Sequence, residues 1–203
     1  MIYIEIGEIL EKRPTTRSIG IRQITLPVHR RCACHLLNLV SKADVDKITD
    51  LLFNELRTNV EAKLQFLWNK QSSSSNHSDT IRRHLGQLFI LKNETRWNTS
   101  YFATECMVIL MRKKAKAMRK LMDEFKIPFF TPSEEQYMKE YIKVMKPIVE
   151  ALDILQGEKN VGLGYLLPNI TILKSDLRLL QDDSSIIHCQ PLISGLLGAI
   201  NLR

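Results

Sequence analysis

Apolar residues recur at steps of three and four along most of the chain, and only its first stretch lacks that rhythm. Residues 1–24 carry two short apolar runs, "YIEI" and "RQITL", without a helical period. They predict short strands with a loop around Pro14. From Cys32 the pattern turns helical. "CACHLLNLV" reads as a compact apolar helix. Val45, Ile48, Leu51, Leu52, Leu56, Val60, Leu64, Leu67 and Trp68 then form one stripe over about six turns, with Asp44 and Asp46 at its start, where negative charge suits the helix dipole. "QSSSSNHSD" (71–79) reads as a polar, low-complexity loop and a mobile point. Asp79 is placed to cap a short helix through "TIRRHLGQL". "LFIL" (88–91) is too short for its period to choose between a strand and an extended buried segment.

Further on, the periodicity predicts one long helix from about Trp97 to Phe125, ended by "KIPFFTP". Thr131, Pro132 and Glu134 have the spacing of a capping box with proline in the first turn. Tyr137, Tyr141, Val144, Ile148, Leu152 and Leu155 carry the helix onward. Pro147 should kink it, because proline lacks the backbone donor, and Gly157 should end it. A glycine-bearing loop, "EKNVGLG", precedes a helix over "YLLPNITILKSDLRLL". "DDSS" (182–185) then separates it from a last apolar segment, "IIHCQPLISGLLGAI". The expected class is mainly α with a few short strands.

Composition changes this picture little and charge changes it more. Of 203 residues, 44% are hydrophobic and 25% charged, as in a soluble globular protein, and no apolar run is long enough to predict a membrane span. The N-terminus, with acids inside its apolar part, does not read as a secretory signal. Four cysteines spread as Cys32, Cys34, Cys106 and Cys189 suit neither a disulfide framework nor a zinc ribbon, and a reducing compartment is expected. The net charge of +7 permits phosphate binding. Much of it sits in "HRRCACH" (29–35), "IRRH" (81–84) and "RKKAKAMRK" (112–120).

Three groups of residues are candidates for chemistry. Cys32 and His35 are one helical turn apart, but no second pair completes a tetrahedral zinc site, and a buried structural cysteine with a hydrogen-bonded histidine explains them better. Arg112, Lys116, Arg119 and Lys120 recur on one face of the expected long helix. They suit contacts to nucleic-acid phosphates, and also an ordinary solvated face. Arg96 and Trp97, in "NETRWNTSYF", stand where a loop enters that helix. A tryptophan there serves packing, or stacks on an unpaired base while the arginine holds a phosphate. No nucleophile elbow is present, and Gly162 and Gly164 lack the rest of a dinucleotide fingerprint. Neither a cofactor nor a small-molecule substrate is expected.

Four stretches taken in order resemble the transposases of the hAT superfamily, and especially their domesticated relatives, the zinc-finger BED domain-containing proteins. They are "LPVHRRCACHLLNLVSKADVDK" (26–47), "KLQFLWNKQ" (63–71), "NETRWNTSY" (93–101) and "YIKVMKPIVEALDILQGEKNVGLGYLLPNITIL" (141–173). The resemblance covers residues 26 to about 200. It implies a helical insertion domain attached to a partial ribonuclease-H-like core. Residues 25–43 would be the core remnant with its Cys-x-x-His pair, 44–203 the insertion region, and 1–24 a divergent segment. It also implies that Cys32, His35, Arg96 and Trp97 lie near the family's active site, with Arg96 and Trp97 gripping a DNA end or flipped base.

The family cuts DNA with two aspartates and a glutamate that hold two metal ions. Residues 1–31 contain no aspartate, and Asp44, Asp46 and Asp50 follow Cys32 on what reads as a separate helix. The resulting expectation is a truncated, catalytically inactive, hAT-derived protein of the nucleus. DNA is its candidate partner, it has no membrane association, and its oligomeric state is open. Two rivals stand beside it: a helical protein-interaction module with no nucleic-acid role, and a fragment of an active metal-dependent transposase.

Overall fold

The computed structural model describes residues 16–19, 22–25, 32–92, 98–157 and 163–202. Strand β1 (Thr16–Ile19) pairs antiparallel with β2 (Arg22–Thr25), Thr16 opposite Thr25 and Ile19 opposite Arg22. The "RQIT" part of the second predicted strand is therefore a strand, whereas "YIEI" and Pro14 lie outside the described residues. Among the described residues this hairpin is the only sheet, and everything large is helix. The mainly α expectation holds. The described strands do not assemble the central sheet that a ribonuclease-H-like core would bring.

Helix α1 (Ala33–Leu39) runs into a π-helical turn (Val40–Asp44) and a 3-10 turn (Val45–Lys47). The domain boundary expected at 43 and 44 falls in these turns. The predicted apolar stripe is thus split between two elements. α2 (Leu51–Ser73) starts six residues later than Val45, and Asp50, not Asp44 or Asp46, caps it by accepting from Phe53 N at 2.8 Å. Leu51 and Leu52 are exposed in its first turn, while Val60, Leu64, Leu67 and Trp68 are buried as the period requires.

The serine-rich stretch is not a loop. α2 continues to Ser73 and α3 (Ser75–Leu85) begins after Ser74 alone. The hydroxyls explain why so polar a segment stays helical. Ser72 donates to the Trp68 carbonyl, Ser73 to Lys70 and Ser78 to Gln71, while Ser74 accepts from Asn76 N as the N-cap. The bonds to Lys70, Gln71 and Asn76 satisfy end groups that a helix terminus leaves open. Asp79 lies inside α3 and is not its cap. Gly86 closes α3 at φ +69°, a left-handed position that favours glycine. "LFIL" is neither helix nor strand, and it is buried only at Phe89: Leu88 is half-buried, and Ile90 and Leu91 are exposed. Phe89 is buried and bonded through both backbone groups to the Gln71 side chain, at 2.7 and 3.0 Å, so one amide stands in for a strand partner.

The predicted long helix is two helices. α4 (Thr99–Lys113) and α5 (Ala115–Glu124) are separated at Lys114, which leaves helical geometry at φ −134°, ψ 38°. The redirection lets α5 lay Met118, Leu121 and Met122, all fully buried, into the core and pack against α3. Lys126, at φ 58°, turns the chain out of α5. α6 (Pro132–Gln156) begins with the predicted capping box and runs through Pro147 as one element. Gly157 is its C-cap, with extended rather than left-handed backbone. α6 is the central helix, packed against α1, α2, α4 and α7 (Leu166–Gln181). α8 (Gln190–Leu202) covers α7 and the turns around residue 45.

Candidate nucleic-acid interface

The helix break redistributes the basic run. Arg112 and Lys113 close α4, whereas Lys116, Arg119 and Lys120 lie on α5; all five are exposed. The single helical face expected for Arg112, Lys116, Arg119 and Lys120 is therefore corrected to an α5 face with Arg112 across the bend. On α5 the spacing is that of one side of a helix, opposite Met118, Leu121 and Met122. Lys114 has another job. Its ammonium donates to the Leu85 carbonyl at the C-terminal end of α3, where positive charge suits the helix dipole.

Electrostatics favour this surface as a site for anions. Residues 112–126 contain seven cations and two carboxylates. One of the two, Glu124, accepts from Arg83 at 3.0 Å and lies 2.7 Å from His84 Nε2, and these contacts, His84 first, hold its carboxyl below the ordinary range. Among the described residues, no carboxylate lies within ion-pairing distance of Arg112, Lys113, Lys116, Arg119 or Lys120. Their charge is left to solvent and to whatever anion approaches.

Aromatic rings border the same surface, and the sequence reading passed over them. The Arg119 guanidinium lies 3.9 Å above the ring of half-buried Phe129. Lys63, on α2, donates to the Phe129 carbonyl at 3.3 Å and to Glu134 at 2.6 Å. One turn along α2, exposed Phe66 carries the Lys70 ammonium 5.3 Å from its centre. Lys70 is also 5.9 Å from the ring of Phe125, against which His77 packs edge-on. The signal was present as "KIPFFTP" and as Phe66 and Lys70 one turn apart on α2. Without the fold, Phe129 and Arg119 had no reason to be paired.

The other candidates separate. Arg96 and Trp97 lie outside the described residues. The described residues that bracket them, Lys92 and Asn98, both line a cavity of about 740 Å³ between α2, α4 and α6. Its charged groups include Arg57, which is taken up by Asp46 at 2.5 Å and Glu61 at 2.9 Å. Cys32 is half-buried at the N-cap of α1, while His35 is exposed. The thiol that engages the fold is Cys34, which donates to the Leu155 carbonyl at 3.3 Å. Burial, then the neighbouring Cys32, pushes it up to about 11. Among the described residues, no three His, Cys, Asp or Glu side chains gather as a metal site. None of the described helices is long and apolar enough to cross a membrane. No family model, curated protein or solved structure matches the chain.

Proposed function

We propose that this chain is a non-catalytic, nucleic-acid-binding helical protein of hAT-transposase descent, acting in the nucleus. On this reading residues 44–203 are the insertion region and 25–43 a remnant of the ribonuclease-H-like core. The observation that carries the binding is the exposed α5 face: Lys116, Arg119 and Lys120, joined by Arg112, are free of described carboxylates. The descent rests on the four resembling sequence stretches. Arg96 and Trp97 are assigned, from that resemblance, to the grip on a DNA end. The experiment is binding of the purified chain to a hairpin-ended DNA and to an intact duplex over a salt series. Trp97→Ala should remove a preference for the hairpin. Equal binding of both DNAs by both proteins would leave a basic surface without an end grip.

A protein-interaction role is favoured by a different observation. Tyr165, at the start of α7, and Ile172 and Leu179 within it recur every seven residues and are all exposed, an apolar seam of the kind helices use to associate. A chain that binds neither DNA, and whose partners are lost on Ile172→Glu, would belong to this second class.

A further inference from the structure

The α5 face is continuous with the bordering aromatics. Arg119 lies on Phe129; Lys63 ties the Phe129 backbone to α2; Phe66 and Lys70 follow on α2; and Lys70 returns to Phe125 at the end of α5. Through buried Phe125 and the Lys63–Glu134 pair, these contacts bring exposed Phe66 and half-buried Lys70 of α2 next to the α5 cations. Duplex recognition through phosphates gives no use to such rings, because paired bases bury their faces against one another. An unpaired strand does expose base faces, and groups that stack on them are the usual complement to a basic groove. Two such groups are available. Phe66 is 42% exposed despite its size. Arg119 is exposed and its guanidinium carbon lies 3.9 Å from the centre of the Phe129 ring, a contact that holds the group in place beside solvent, where a guanidinium can also stack on a base.

We propose that this patch binds single-stranded nucleic acid, with unpaired bases stacked on Phe66 and on the outer plane of Arg119 and phosphates against Lys70, Lys116 and Lys120. The inference rests on the nucleic-acid reading above and narrows its substrate class. Phe129 is a positioning residue: it holds the Arg119 plane and touches no base.

The test is fluorescence anisotropy of the full chain with labelled oligo(dT) and with a duplex of equal length, over a salt series. The variants are Phe66→Ala, Phe66→Trp and the pair Lys116→Glu with Lys120→Glu. Thermal melts followed by circular dichroism should show Phe66→Ala still folded with a small shift at most, since the ring is 42% exposed and outside the core. The wild type should bind the single strand more tightly than the duplex. Phe66→Ala should weaken single-strand binding by roughly tenfold, the loss expected for one stacked base, and leave duplex affinity and both salt slopes in place. Phe66→Trp should restore it. A Phe66→Ala protein that binds oligo(dT) like wild type, or that loses both probes equally, overturns the proposal. If the double lysine reversal abolishes binding while Phe66→Ala changes nothing, only the single-strand inference falls. If wild type binds neither probe, or the reversal has no effect, the nucleic-acid reading falls and takes this inference with it.

Discussion

Glu140 is 2% exposed, yet it is an acid inside a helical core. Its carboxylate accepts from His188 N at 2.7 Å and Cys189 N at 2.9 Å, and Gln136 supplies a further donor at 3.0 Å. It thus closes the start of α8 from a different helix. Glu140→Ala should cost about 1–3 kcal/mol in denaturant unfolding, since the buried Cys189 N–H and the part-buried His188 N–H lose their acceptor. An effect within experimental error would show that those groups find another partner. Cys34 offers a chemical test at the same scale. Its raised pKa favours the neutral thiol in the folded chain, so that contribution to stability is present at neutral pH and is lost as pH rises through about 11. Iodoacetamide labelling at neutral pH, read by mass spectrometry, should therefore be much slower at Cys34 in the folded chain than in denaturant. Equal rates would contradict the part-buried Cys34–Leu155 contact. Nothing in the sequence marked Glu140 or Cys34, because their partners are 48 and 121 positions away.

At the scale of elements, the sequence was most legible where the signal is local. The Thr131–Glu134 capping box lies within one turn and forms as predicted. The burial of Val60, Leu64, Leu67 and Trp68 follows directly from their spacing. Errors arose where tertiary contacts choose between local alternatives. The serine run reads as loop by composition, but its hydroxyls have helical carbonyls to bond once α2 and α3 fold together. The α4–α5 break has no proline or glycine to announce it, and it is stabilised by Lys114 reaching α3. Gly86 ties these elements. A Cβ there would strain a φ of +69° and stand 3.3 Å from Lys114 Nζ. Gly86→Ala should destabilise the fold by about 1 kcal/mol or more, measured by thermal or denaturant unfolding. No loss would mean that the left-handed turn is not maintained in solution.

The described residues form a helical assembly around α6, with the exposed cations of α5 beside α3, against which α5 packs. The charge itself was legible in the sequence, as three basic clusters. Its geometry was not, because the bend at Lys114 and the Phe129 platform exist only in the fold. Arg96 and Trp97, the pair that the family resemblance singles out, lie outside the described residues. At this scale the described basic surface is therefore that of α5.

If the α5 face neutralises nucleic-acid phosphates, as proposed, the salt dependence of binding reads it directly. With Arg112, Lys116, Arg119 and Lys120 each displacing counterions from a duplex, a plot of log K against log salt should fall with a slope of about −3 to −4. The Lys116→Glu and Lys120→Glu pair should reduce that slope by about 2 while the helical circular dichroism and melting temperature are retained. A slope near zero, or one that the double reversal leaves unchanged, would contradict the account and return the basic face to simple solvation.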